Sequence, residues 1–192
     1  MANHTKQDLA TTLKALLQEK PLEKISVSEL TARCSVSRMT FYYHFKDMYD
    51  LVEWMCREDL KKIVRMPRNG AAWQECFTRI FQAIYAQKVC VENINRSVDR
   101  ASVEKFWIEQ INILLPEVVR SVAARVDVAI TEEDIAFISG FYRYSFLGVL
   151  MEWFDRGMRH DYEETVVGLS KIMDGSIEQA VRNFAHTIPT AT

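Results

Sequence analysis

Apolar residues recur at three- and four-residue spacing along almost the whole chain, and this period admits packed helices rather than sheets. Leu9, Leu13, Leu16 and Leu17 form one stripe that ends before Pro21. Val27, Leu30 and Cys34 form a short second stripe, opened by a Ser26 and Glu29 pair with capping-box spacing. Ser37 is placed to cap a third short helix running to Phe45, and Leu51, Val52, Trp54, Met55 and Ile63 mark a longer fourth. The fourth helix stops at Pro67-Arg68-Asn69-Gly70, which is the main break in the chain. Alternating β-branched runs are nearly absent, and the 192 residues include only 6 Gly and 4 Pro, so few positions can interrupt helices.

Beyond that break the spacing predicts a helix over 71–87 and a shorter segment to about Asp99. A long helix then runs from about Ser102 to Val126, kinked or broken at Pro116, where the chain loses an N–H donor. Thr131 with Asp134 opens another helix, with Ile135, Ile138, Phe141, Tyr142, Ser145, Val149 and Trp153 on a broad face and a stop near Gly157. Asp161 with Glu164 opens the last, which carries Tyr162, Val166, Leu169, Ile172, Met173 and Ile177 before a frayed tail from about His186. The expected fold is all-α, with about nine helices: an N-terminal three-helix unit and a C-terminal helical bundle.

Bulk properties narrow the function. Net charge is −2 and charged residues make up 26%, so the chain is not a polycation. Residues 20–46, however, hold five Lys or Arg (Lys20, Lys24, Arg33, Arg38, Lys46) against Glu23 and Glu29, the local excess a DNA-facing patch needs. There is no apolar run of membrane-spanning length and no apolar leader at Met1–Lys6, so a cytoplasmic protein is expected. Cys34, Cys56, Cys76 and Cys90 form no CxxC pair and have no histidine at ligand spacing, so reduced, mostly buried thiols and no metal are expected. The chain lacks GxSxG, P-loop, HExxH and GxGxxG patterns, and His4, His44, His160 and His186 are scattered; neither an enzyme nor a cofactor is expected.

The stretch from Ile25 to Val52, ISVSELTARCSVSRMTFYYHFKDMYDLV, carries the functional signal. A short amphipathic helix, a turn of about three residues and a second short helix with polar and aromatic side chains have helix-turn-helix spacing, in which the second helix enters the major groove. Ser37, Thr40, Tyr42, Tyr43 and His44 offer hydroxyl and imidazole groups to phosphate oxygens, and Lys46 and Arg38 add charge. Arg38 is also a candidate for a guanine edge and Met39 for a thymine methyl group. Ser26 and Ser37 sit at helix starts, where free backbone N–H groups favour phosphate. Phe41 and Phe45, four apart, belong to the core. Tyr42 and Tyr43 are adjacent and point apart, so at least one must be exposed.

The run Val36-Ser37-Arg38, Thr40-Phe41-Tyr42 and His44-Phe45 resembles the N-terminal domain of the TetR family of transcriptional regulators, in register over some 28 residues. The resemblance implies an operator-binding homodimer in which Thr40, Tyr42, His44 and Lys46 contact phosphates. Ser37, Arg38, Met39 and Tyr43 would then face bases or nearby backbone. Two positions depart from the family pattern: Ser35 stands where the turn usually has Gly, and Met39 where the recognition helix usually has a small residue. Tyr43 to Leu51, together with Gly140-Phe141-Tyr142 through Gly148 to Trp153, is similar to a subgroup common in Firmicutes that includes activators of dihydroxyacetone kinase operons, some of which are associated with a protein partner.

The resemblance further implies DNA binding by residues 1–47 and ligand sensing and dimerisation by 48–192, with the helix around Asp47–Met66 as the lever between them. Ala136–Arg156 and Tyr162–Asn183 would pair with their mates in a four-helix bundle, Gly140, Ser145 and Gly148 permitting close approach. An unknown effector, small molecule or protein, would act on the C-terminal unit. Phe77, Phe81, Tyr85, Phe106, Trp107, Tyr142 and Phe146 are candidates to line an apolar pocket, though aromatic stripes at this spacing serve equally as core. The competing reading is a helical interaction module that has lost specific DNA binding; steeply salt-dependent affinity for DNA separates the two.

Overall fold

The structure, a computed structural model, describes residues 2–63, 73–159, 162–173 and 175–185. The Pro67–Gly70 break, Met66, His160, the Asp161 cap and the tail from His186 lie outside them. Every regular element among the described residues is helical. In order these are α1 (Ala2–Glu19), a 3-10 turn (Leu22–Lys24), α2 (Val27–Arg33), α3 (Arg38–His44) and α4 (Met48–Ile63). They continue as α5 (Trp73–Ala86), α6 (Lys88–Asn95), α7 (Arg100–Arg125), α8 (Glu132–Asp155), α9 (Tyr162–Met173) and α10 (Ser176–Asn183). None of the described helices is long and apolar enough to cross a membrane.

The chain forms two compact units that interleave along the sequence: residues 1–64 with 83–103, and 65–82 with 104–192. The first is built on the α1 stripe. Leu9, Leu13, Leu16 and Leu17 are fully buried, and Leu30, Phe41, Phe45, Leu51 and Met55 close over them from α2, α3, the turn after α3 and α4. Cys90 and Ile94 of α6 enter the same core, which is why 83–103 joins this unit. Polar bonds fix the fit: the buried Asn93 amide donates to the Leu17 carbonyl (2.9 Å), and the Glu23 N–H donates to Ser97 Oγ (3.2 Å). Lys14 pairs with Asp59 between α1 and α4.

The second unit packs around α7 and α8. α7 buries Ile111, Leu115, Val118, Val119, Val122 and Ala123, and it is a single helix running through Pro116. The helix expected to kink or break at Pro116 is not broken there, and it has buried side chains on both sides of the proline, Ile111 and Leu115 before it and Val118, Val119, Val122 and Ala123 after it. α8 opens with a complete capping box: the Asp134 N–H donates to Thr131 Oγ1 (3.1 Å) and the Thr131 N–H to Asp134 Oδ2 (2.8 Å). It ends at Asp155 with Gly157 left-handed at φ 73°, the stop foreseen there. The segment expected as one last helix is two, α9 and α10, parted at the left-handed Gly175 (φ 74°).

Candidate nucleic-acid interface

α2 and α3 are joined by a turn that the sequence has to make without glycine. Ser35 takes the left-handed conformation itself, at φ 56°. The Val36 N–H donates to the Thr31 carbonyl (3.0 Å) and the Ser35 N–H to that of Ala32 (3.2 Å), the paired bonds of a Schellman closure. Ser37 then caps α3, its Oγ accepting from the Thr40 N–H (3.0 Å) and lying 2.9 Å from Thr40 Oγ1. Ser26 caps α2 by accepting from the Glu29 N–H (3.1 Å). The Glu29 carboxylate does not mirror that bond: Lys20 Nζ binds both its oxygens, at 2.8 and 2.7 Å.

The seating of α3 decides what it can present. Phe41 (0% exposed) and Phe45 (2%) anchor it, Phe45 packing edge-on against Trp54 at 5.7 Å, with the Lys6 ammonium over the Phe45 ring at 5.1 Å. Successive helical residues turn by about 100°, so Met39 and Tyr43 each lie about 160° around the axis from Phe41. They form the outermost row of the helix, exposed to 81% and 82%. Arg38 and Tyr42 flank this row on one side, both exposed, with Tyr42 edge-on to Phe41 at 5.3 Å. Thr40 and His44, half-buried, flank it on the other. Lys46 is exposed just beyond, its N–H donating to Asp50 Oδ2 (2.9 Å) at the start of α4. The structure therefore gathers Ser37, Arg38, Met39, Thr40, Tyr42, Tyr43, His44 and Lys46 at one helix and its ends, with Ser26 at the neighbouring cap.

The local positive charge is smaller than a count suggests. Arg33 is held by Glu19 through two 3.0 Å bonds, which lower the Glu19 pKa and raise that of Arg33, and Lys20 is held by Glu29. Lys24, Arg38 and Lys46 are the cations of the segment for which no ion pair is recorded among the described residues.

The seven candidate pocket residues do not form one group. In the second unit Phe77 lies against Phe146 at 4.0 Å and Phe81 against Trp153 at 4.8 Å, an aromatic seam between α5 and α8. Trp107 is edge-on to Phe106 (5.5 Å) and 6.2 Å from Phe154. Tyr142 is buried, its hydroxyl 3.1 Å from Ser176 Oγ at the head of α10. Tyr85 falls within the first unit, because 83–103 packs there. Ser139 and Arg143, one turn apart on α8, were not singled out by spacing. The Ser139 hydroxyl and Arg143 Nε are buried without a hydrogen-bond partner among the described residues, while Arg143 Nη1 donates to Asn112 Oδ1 (3.0 Å). A Ser and an Arg in a helical apolar pattern carry no sequence mark that sets them apart from solvent-facing residues.

A helix-turn-helix with an exposed second helix, followed by an all-helical unit, defines a DNA-binding regulator. Residues 10–55 match the family described as bacterial regulatory proteins, tetR family, and residues 71–175 match its transcriptional regulator C-terminal region. The chain is 22% identical over 153 residues to the HTH-type dhaKLM operon transcriptional activator DhaS of Lactococcus lactis subsp. lactis (strain IL1403), covering 80% of this chain and 81% of that protein. The fold is similar to the solved structure of the dihydroxyacetone kinase operon activator DhaS, with a TM-score of 0.68 at 19% identity over 95% of this chain and 98% of the other. It is also similar to a tetR-family transcriptional regulator from Streptomyces coelicolor, at 0.53 and 15% over 95% and 88%. The chain belongs to the TetR family: it is a DNA-binding transcriptional regulator, not an enzyme.

Proposed function

We propose that this regulator acts in the cytoplasm as a homodimer on a pseudo-palindromic operator, with α3 of each protomer in the major groove of one half-site. Residues 1–47 bind DNA; residues 48–192 sense the effector and dimerise. Thr40, Tyr42, His44 and Lys46 contact phosphates on the two sides of the groove, and Ser37, Arg38, Met39 and Tyr43 face bases or nearby backbone. Ser26 lends its α2 cap to the phosphate backbone. The observation that carries this reading is the orientation of α3, whose Phe41 is fully buried while Met39 and Tyr43 are four-fifths exposed directly opposite. A helix seated this way offers its far side to a groove.

Two recognition helices reach half-sites about one helical turn apart only in a dimer. α8 supports this arrangement because it is apolar on two faces. One face, with Ile135, Ile138, Tyr142 and Phe146, is buried; the other exposes Phe137 (68%), Phe141 (68%) and Tyr144 (61%) at i, i+4 and i+7. A Cβ at Gly148 on the same outward face, or at Gly168 on α9, would meet nothing within 4 Å, so neither glycine answers a contact inside the protomer. Val167 and Ile172 on α9 are exposed as well. Aromatic side chains in such an array suit a subunit interface.

The effector, small molecule or protein, would act by favouring one separation of the recognition helices over another. The α5–α8 aromatic seam is where an apolar ligand would insert. The chain's similarity to the dhaKLM operon activator DhaS supports the regulator reading without fixing the effector.

The test is fluorescence anisotropy of the full chain on duplexes from its own upstream region and from a random-sequence selection. One tightly bound pseudo-palindrome is expected, with affinity falling about tenfold or more for the Tyr42→Ala, Lys46→Ala double variant. Binding no tighter than to random DNA, unchanged in that variant, contradicts the reading.

A further inference from the structure

We propose that the operator half-site is recognised chiefly through the C5-methyl groups of thymine, packed against Met39 and Tyr43. The inference rests on α3 lying in the major groove, and it names what that helix reads there. The outermost row of α3, directly opposite its buried anchor Phe41, consists of these two residues alone, 81% and 82% exposed. Met39 has no donor to offer a base, and Tyr43 carries its one hydroxyl at the far tip of an exposed ring. The other side chains able to hydrogen-bond, Arg38, Thr40, Tyr42 and His44, stand on the flanks, where the walls of the groove present phosphates. α3 has no Asn, Gln or Lys, and Arg38, at its first turn, is its one long cationic donor. In the major groove, thymine is distinguished from the other bases by an apolar group, and an apolar surface at the groove floor distinguishes it by contact. The flexible Met39 side chain adapts to a methyl group, and the Tyr43 ring supplies a flat edge beside it.

The outer row of α3 lies within residues 10–55, which match the family of DNA-binding regulators, and the flanking polar rows and Lys46 suit phosphates on either side of it.

The experiment replaces each thymine of the selected operator with deoxyuridine, symmetrically in both half-sites. This removes only the methyl group and leaves every hydrogen-bonding edge intact. Affinity of the full chain is then measured for the parent protein, Met39→Ala and Lys46→Ala. One or two positions in the half-site should each lose roughly fourfold per methyl group on substitution. Met39→Ala should bind the parent operator more weakly and show no further loss at its position, whereas Lys46→Ala should be weakened yet keep the full deoxyuridine effect. Because Met39 is exposed, its replacement leaves the core intact, and the deoxyuridine arm requires no variant at all. Operators that tolerate deoxyuridine throughout while Lys46→Ala still weakens binding, or a half-site core without thymine, overturn the inference and leave operator binding standing. Failure to select any duplex overturns both.

Discussion

Ser35 shows how a single residue sets the angle between the two helices of the DNA-binding motif. Its left-handed backbone at φ 56° costs a residue with a Cβ about 1 kcal/mol, part of which a glycine recovers against its own larger entropy of ordering. Ser35→Gly is therefore expected to raise the denaturation midpoint modestly, by up to about 1 kcal/mol in stability, and to leave operator affinity unchanged; urea unfolding of both proteins checks it. Two of the thiols titrate well above their ordinary range. Burial pushes Cys56 up to about 12 and Cys90 up to about 11 from an ordinary 9.0. The fold thus favours their neutral forms. That contribution is fully present below pH 9 and is lost as pH rises towards 11–12, where the unfolded chain ionises first. Thermal unfolding followed from pH 8 to pH 12 should show the melting temperature falling through this window. At pH 8 an alkylating reagent should leave the buried Cys90 unmodified until the chain unfolds.

At the scale of elements, what was legible in the sequence was what local chemistry decides. Ser26, Ser37 and Thr131 announce their helices because each cap bond is made within three residues. Gly157 announces an end because the left-handed turn is cheap there. The exposure of the residues proposed to face DNA follows from Phe41 and Phe45 being core. Tertiary packing was not legible in the same way. Pro116 signals a break, yet the buried faces on both sides carry α7 through it. The period of α6 does not say that Cys90 and Ile94 belong with α1, so spacing alone groups Tyr85 with aromatic residues of the other unit. α8 reads as one broad apolar face, and only the fold separates the inward Tyr142 and Phe146 from the outward Phe137, Phe141 and Tyr144. If that outward face is the subunit interface, Phe141→Asp places a charge in it without touching the protomer's core. The variant should keep its helical circular dichroism while sedimenting as a monomer; a variant that remains dimeric would put the interface elsewhere.

For the whole molecule, the proposed mechanism is geometric. Each protomer would supply one short recognition helix, whose exposed outer row is two side chains long, and holding two such helices at a fixed separation would add to what each reads in its half-site. On this proposal an effector would work by changing that separation, so its influence on DNA affinity would be bounded by its preference between the two arrangements. Few free cations remain near α3 once Lys20 and Arg33 are paired, which makes the geometric match of both half-sites more important than bulk charge. The most direct measurement is the affinity of the full chain for its selected operator against the same operator with about 5 base pairs inserted between the half-sites. That insertion turns one half-site to the opposite face of the duplex with every base contact preserved. The account predicts that affinity drops to the level of a single half-site; equal affinity for both duplexes would contradict a dimer reading two faces in register.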